Sequence, residues 1–385
     1  MTTDKHNKRP NVPPLRFPEF TEPWETAKLG AIAEFSKGTG ISKEQRSETG
    51  LPCILYGELY TTYTNEVIED VVSKTDLDPT DLVKSQKNDV IIPSSGETAE
   101  DIATARCVTS DNVLLGGDLN IIRLVEPNDG RFMSYQLNGI RKYDIAKIAQ
   151  GVSVVHLYGG DLKMLSVTFP QSPEQKKIAD CISLLDRRIS VQSGLIEDLQ
   201  KLKAALYQKV FSSIPGEEVA LSSLAKIIKG KQINGTELFD SGNYYVMNGG
   251  TLPSGFYNEY NTPANTISIS EGGNSCGYVQ FNNVPFWSGG HCYTLQITSK
   301  QIHLSYLYHY LKHREQVIME LRIGSGLPNI QKKDLERFPI LMPTIEVQQR
   351  LSRIFDSLQR KEEVEKSILN RCLSQKQYLL QKMFI

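Results

Sequence analysis

Residues 174–211 read EQKKIADCISLLDRRISVQSGLIEDLQKLKAALYQKVF, and residues 345–384 read IEVQQRLSRIFDSLQRKEEVEKSILNRCLSQKQYLLQKMF. In the first stretch, steps of four and three residues pick out Ile178, Ile182, Leu185, Ile189, Gln192, Ile196, Leu199, Lys203, Leu206 and Val210. Eight of these ten are apolar, the pattern of a coiled-coil seam with two polar breaks. Pro173 stands at the start, where a helix tolerates proline. The second stretch carries a looser stripe: Leu351, Ile354, Leu358, Val364, Ile368, Cys372, Leu379 and Met383. Helices of this length span about 55–60 Å at 1.5 Å per residue. A lone helix with an apolar seam needs a partner, and the nearest is the other copy in the same chain, packed antiparallel. Two core helices in separate domains are the alternative.

The two stretches are copies. Residues 157–211 align without a gap onto 330–384 at an offset of 173. Asp161-Leu162 falls on Asp334-Leu335, Pro170 on Pro343, Gln175 on Gln348, Leu185 on Leu358 and Arg187 on Arg360. Leu206-x-Gln208-Lys209-x-Phe211 falls on Leu379-x-Gln381-Lys382-x-Phe384. The front ends match at another offset, with Leu29, Ala33 and Lys37-Gly38 falling on Leu221, Ala225 and Lys229-Gly230. Repetition of this kind outranks local pattern in reading a fold.

Each half therefore has one plan. A mixed segment, 24–170 or 218–343, is rich in Gly, Asn, Ser, Thr and aromatics. Short apolar runs such as Val90-Ile91-Ile92 and Thr266-Ile267-Ser268-Ile269 read as strands between turns. One helix is expected near the end of each, Met133–Ala149 and Ser305–Arg322. A long helix then closes the half. The fold expected is α+β: two mixed α/β domains joined by two long antiparallel coiled-coil-like helices, in a pseudo-twofold internal repeat. The expected boundaries are an N-terminal arm 1–23, a first domain 24–172, a central helix 173–211, a linker and second domain 212–343, and a distal helix 344–385.

With 385 residues, 39% hydrophobic and 23% charged, the chain has the composition of globular domains and ample length for their cores. No run approaches the ~18 apolar residues of a membrane span. The polar, proline-bearing start lacks the apolar core of a signal peptide. A cytoplasmic protein is expected. Cys53, Cys107, Cys181, Cys276, Cys292 and Cys372 are scattered without a C-x-x-C pair, as reduced, buried thiols are. The net charge of −1 excludes a chain that coats nucleic acid by bulk charge, and leaves room for local basic patches.

The motifs of catalysis are missing. Gly230-Lys231 is followed by Gln232, so no nucleotide-binding P-loop forms there. Gly38-Thr39-Gly40 and Gly324-Ser325-Gly326 are isolated turns. No N-P-P or D-P-P of an amino-methyltransferase occurs. His309 and His313 have the i, i+4 spacing of metal ligands but no intervening Glu, and read better as part of a buried aromatic helix. Cys276, His291 and Cys292 lack a fourth zinc ligand at a sensible spacing. Two similar domains on a long spacer, with no nucleophile–base pair, describe a bivalent binding module.

At these residues the chain resembles the specificity subunits of type I restriction–modification systems. The resemblance rests on Trp24…Leu29-Gly30…Lys37-Gly38 and Leu221…Lys229-Gly230. It continues in Gly151-Val152-Ser153…His156-Leu157…Asp161-Leu162 before Pro170…Pro173-Glu174-Gln175-Lys176-Lys177-Ile178-Ala179. The second half supplies Gly324-Ser325-Gly326-Leu327-Pro328-Asn329-Ile330…Asp334-Leu335 before Pro343…Gln348. The run Ser270-Glu271-Gly272-Gly273-Asn274-Ser275-Cys276-Gly277, with Pro285-Phe286-Trp287-Ser288-Gly289-Gly290, is similar to the family's second-domain type. Val347 departs from the family's Glu-Gln pair. The resemblance implies that each mixed domain is a target recognition domain for half of a split DNA site, and that the helices set the gap. It implies a non-catalytic chain holding two methyltransferase subunits, which bind S-adenosylmethionine, and recruiting restriction subunits that use ATP and Mg.

Base readout calls for Arg, Lys, Asn, Gln, Ser, Thr or His on projecting loops. In the first domain the candidates are Lys37, Thr39, Lys43, Arg46, Ser94, Ser95, Ser153 and His156. In the second they are Lys229, Lys231, Asn248, Ser270, Asn274, Ser275, His291, Ser325 and Asn329. For each, the competing reading is a turn residue bonded to nearby backbone. From 24 to 160 there are 13 Lys and Arg against 20 Asp and Glu, and from 216 to 330 there are 7 against 8. Phosphate binding must then come from local patches or partner subunits. A bivalent protein- or glycan-binding scaffold is the alternative, and steep salt dependence separates the two. A silent specificity subunit that assembles without reading a site is a third reading.

Overall fold

The structure is a computed structural model describing residues 11–151, 153–324, 326 and 328–385. The chain forms two compact units. One comprises residues up to Ser193 with Ile368–Ile385, the other Gly194–Ser367. Both divisions fall inside the two long helices, Ser172–Phe211 and Ile345–Lys382.

In the first unit, Glu25–Lys28 pairs antiparallel with Ser166–Phe169. A five-stranded sheet follows in the order Ala33–Lys37, Leu119–Leu124, Asp89–Pro93, Arg106–Val108, Val67–Ile68. Val90-Ile91-Ile92 is wholly buried, which is why this strand reads as an unbroken apolar run. Successive side chains go to opposite faces. Val90 and Ile92 join Trp24, Leu29, Phe132 and Phe384, while Ile91 joins Ile54, Leu59 and Ile121. Truncating an aromatic in the first cluster would cost about 3–5 kcal/mol.

The second unit repeats the plan. Glu217–Ala220 pairs with Pro339–Met342, and a four-stranded sheet runs Ala225–Lys229, Cys292–Ile297, Thr266–Ser270, Val279–Asn282. The registers agree residue for residue: Lys37 lies opposite Asn120 as Lys229 lies opposite Tyr293, and Ile122 opposite Val90 as Leu295 opposite Ile267. Leu29 and Leu221, matched in sequence, are both fully buried, and their N–H groups donate to Leu165 and Phe338 carbonyls.

The single helices expected over Met133–Ala149 and Ser305–Arg322 are each two. Gly130–Asn138 stops at Gly139, a favoured stop residue, and Lys142–Ile148 restarts. Leu304–His313 is separated from Glu315–Glu320 by Arg314, which leaves helical geometry at φ −90°, ψ 9°. His309 is buried in the first of these, between the Tyr207 hydroxyl at 2.7 Å and Asp356 Oδ1 at 2.9 Å. Burial lowers its pKa, against the opposing pull of Asp356. His313 stacks on Phe211. Both belong to an aromatic core, and among the described residues no group of His, Cys, Asp and Glu could hold a metal. All six cysteines are free thiols, five of them buried. Burial pushes Cys53 and Cys292 up to about 11.

Along the first long helix all ten seam positions, including Ile189, Leu199 and Leu206, are buried or half-buried. On the second helix the stripe needs correction. Ile354 and Val364 are 45% and 57% exposed. The inward row is Gln348, Leu351, Phe355, Leu358, Glu362, Glu365, Leu369, Cys372, Lys376, Leu379 and Met383, with Ile368 half-buried beside it. Its polar members are why apolarity alone mistraced it. In the second unit Lys203 Nζ lies 2.5 Å from Glu362 Oε2, Gln200 donates to Glu362 at 3.0 Å, and Tyr207 meets the Phe355 ring at 4.6 Å. In the first unit Lys376 Nζ lies 2.6 Å from Asp186 and 2.5 Å from Glu66. Within the second unit, moving up one helix moves down the other, so the pair is antiparallel. Among the described residues, no helix is long and apolar enough to cross a membrane.

Candidate nucleic-acid interface

At one end of each sheet a strand runs into a Lys-Gly pair. A Cβ on Gly38 would lie 2.0 Å from the Gly116 carbonyl oxygen, and one on Gly230 2.2 Å from that of Gly289. Only glycine permits this backbone approach. The next N–H groups, of Thr39 and Lys231, donate to Leu115 and Ser288 carbonyls. The Lys-Gly motif is thus a crossing point of two chain segments, which lifts Lys37 and Lys229 onto the exposed rim.

Three further segments complete each rim. The Ser94 N–H donates to the Asp118 carbonyl at 2.7 Å, and the Glu271 N–H to the His291 carbonyl at 2.9 Å. Leu157 and Ile330 return N–H bonds to the Ser94 and Glu271 carbonyls at 3.0 and 2.8 Å. Gln150 and His156 exchange backbone bonds, as do Ile323 and Asn329 173 places later. Their loops open with Gly151 at φ 127° and Gly324 at φ 99°. His156 then pairs with Ser95, and Asn329 with Gly272.

This frame sorts the candidates. Lys37, Lys43, Arg46, Ser153 and His156 are exposed in the first domain, as are Lys229, Lys231, Asn274, His291 and Asn329 in the second. Ser95 and Ser275 are partly exposed. Four take the turn-residue role instead. Ser94 is 8% exposed and bound into the frame by its backbone, with its hydroxyl 3.5 Å from Asp118. Ser270 is 4% exposed, and its hydroxyl donates to the Gly249 carbonyl. The Thr39 hydroxyl oxygen accepts from the Val83 N–H at 2.9 Å, and Asn248 Oδ1 from the His291 N–H at 3.1 Å. Three share a cause: the short polar side chains of Thr39, Asn248 and Ser270 satisfy the backbone of the tight crossings they occupy, while Ser94 is held by its own backbone. Ser325 lies outside the described residues.

Two charged groups at the frame were missed. Asp118 is exposed and holds φ 57°, left-handed backbone that only a few residue types adopt readily. Glu271 is nearly buried: its Oε1 accepts from Lys229 Nζ at 2.6 Å and the Tyr293 hydroxyl at 3.0 Å, while Oε2 lies 3.8 Å from His291 Nδ1. Burial and this carboxylate raise the Tyr293 pKa. The missed signal was the 173-residue offset itself, which carries Gly116-Gly117-Asp118 onto Gly289-Gly290-His291. In the first domain a neighbouring cleft is lined by Lys43, Arg46, Tyr56, Tyr60, Glu97 and Asp118. Arg46 there lies 3.5 Å from the buried Glu58.

Comparison with known proteins agrees with this duplicated frame. The profile of the type I restriction modification DNA specificity domain matches twice, over residues 21–201 and 215–372. A Mycoplasma genitalium protein with the provisional name of a type I specificity subunit is 24% identical over 307 residues, 71% of this chain and 80% of its own. A Methanocaldococcus jannaschii protein, provisionally named the specificity subunit of a type I restriction enzyme, is 23% identical over 96% of this chain and 97% of its own. The crystal structure of a type I S subunit from M. genitalium superposes with TM-score 0.77 at 22% identity, covering 97% of this chain and 99% of that one. A chain from a structural study of type I complex assembly gives 0.52 at 17% identity, covering 94% and 97%. With two copies of the family's domain spanning most of its length, the chain belongs to the type I restriction–modification DNA specificity family, as a specificity subunit.

Proposed function

We propose that each domain reads one half of a bipartite DNA site through its rim, and that the paired long helices set the number of base pairs between the halves. As a specificity subunit the chain carries no catalysis of its own. It holds two methyltransferase subunits, whose S-adenosylmethionine supplies the methyl group for adenine, and it docks restriction subunits that use ATP and Mg. The complex works in the cytoplasm, where its DNA is.

One observation carries this reading. The same backbone frame occurs twice and, apart from a shared lysine, presents different side chains each time, as expected of two readers of two different half-sites. Neither domain is basic overall, so phosphate contacts come from rim lysines and from the methyltransferase partners. The test is to express the chain with its methyltransferase subunit and sequence the methylated adenines. A two-part motif with a fixed gap is expected. Methylation independent of this chain would overturn the reading.

A further inference from the structure

The rim bonds match four positions one for one: Lys37 with Lys229, Ser94 with Glu271, Asp118 with His291, and His156 with Asn329. Only lysine is the same in both. Side chains that are identical on equivalent backbone suit a task common to both domains, and phosphate is common to every sequence. Exposed side chains that differ on equivalent backbone are where a difference in sequence preference can reside. Asp118 and His291 accept the same backbone bond, though only Asp118 has left-handed φ, and both are exposed, His291 at 62% of its side chain. A carboxylate is acceptor-only, so on a major-groove edge it pairs only with the exocyclic amino group of cytosine or adenine. Resting on the function proposed above, we infer that Asp118 and His291 are the corresponding base-reading residues of the two domains, Asp118 selecting an amino-bearing base in one half-site and His291 a base in the other, while Lys37 and Lys229 hold phosphate.

Glu271 is a positioning residue in this scheme. It ties down Lys229 and faces His291, whereas the Ser94 hydroxyl is directed to Asp118. The second domain therefore has a pre-aimed lysine and the first has none among the described residues.

The experiment uses the whole subunit with its methyltransferase partner and maps methylated adenines across the host chromosome. Asp118→Asn keeps size and tolerates left-handed backbone, but puts an amide donor where a carboxylate oxygen stood. It should change or relax one position of one half-site, shifting discrimination there about tenfold. His291→Gln should do the same in the other half-site only. Lys37→Ala should leave the motif intact while weakening binding and lowering the salt slope by about one. Asp118→Asn and His291→Gln complexes that keep the wild-type motif and discrimination overturn the assignment, as does a changed motif in Lys37→Ala. A variant that methylates nothing is incubated with a random duplex pool. Lost preference with retained bulk affinity supports base reading, and lost bulk affinity or a retained wild-type motif overturns it. A wild-type complex without a bipartite motif would instead sink the functional reading beneath it.

Discussion

Gln175 and Gln348, 173 residues apart, make the same two hydrogen bonds. Each Nε2 donates at 2.9 Å to the carbonyl of the proline five residues earlier, Pro170 or Pro343. Each Oε1 accepts from a backbone N–H, that of Asp129 at 2.9 Å or His303 at 2.8 Å. Both side chains are buried. The glutamine thus fastens the start of each long helix to its own domain. Replacing either by Ala leaves a buried N–H and a buried carbonyl unsatisfied, at about 1–3 kcal/mol for each orphaned group. Urea melts should show a similar loss for Gln175→Ala and Gln348→Ala. A loss under ~0.5 kcal/mol in both would contradict this role.

The polar step in the helix seam predicts an acid response. Burial would raise the Glu362 pKa, but hydrogen bonds from Lys203, Lys366 and Gln200 hold it down to about 2. Its unfolded value is near 4.3. The unfolded chain therefore binds this proton first as pH falls. The stabilisation is complete above about pH 4.5 and is lost as pH falls towards 2. Glu362→Gln should be less stable than the wild type at pH 7 and show a flatter stability profile between pH 5 and 2. Equal slopes in that window would show that the carboxylate is not paired in solution. Replacing Lys203 and Glu362 together by Leu should be far less costly than replacing Glu362 alone, because the more buried cation leaves with its partner and the remaining one, Lys366, is half-exposed to water.

The Lys-Gly crossing gives a test of domain independence. Gly38→Ala drives a methyl group into the Gly116 carbonyl, and Gly230→Ala into that of Gly289. Neither neighbour is a flexible side chain that could swing aside. Each substitution should distort one rim, so Gly38→Ala degrades recognition of one half-site and Gly230→Ala that of the other. The measurement is methylation of substrates with single-base changes in either half. Equal degradation of both halves by one substitution would count against separate reading.

What could be read beforehand followed from how each feature writes itself into sequence. A seam made of Ile and Leu repeats every three or four residues, and every marked position of the first helix does face inward. The second helix uses Glu362, Glu365 and Lys376 in the same row, and a search for apolar residues slid onto Ile354 and Val364 instead. Strand Asp89–Pro93 announced itself because both its faces are covered. The rim was harder. Its bonds are mostly backbone to backbone, and Asp118 and Glu271 look like ordinary surface acids until their partners are known. Serine gave no warning either: Ser94 and Ser153 have the same chemistry, yet one is sealed into the frame and the other is exposed.

The proposed ruler has a structural condition attached. Asp186 pairs with Lys376 in the first unit and Lys203 with Glu362 in the second, so each unit fixes the helix register within itself. An insertion in one helix alone would break one of those registers. Matched insertions of four residues, after Gln192 and after Ser367, keep both. Each adds ~6 Å at 1.5 Å per residue and turns the helix little more than once, so the seam re-forms with a local stutter. One base pair advances ~3.4 Å along DNA. The doubly inserted subunit should recognise the same half-sites with one or two more base pairs between them. Each added base pair also rotates the second half-site around the duplex, so part of the activity should be lost. Methylome sequencing of the insertion mutant decides the matter. An active complex that keeps the original gap would mean that something other than these helices fixes the distance.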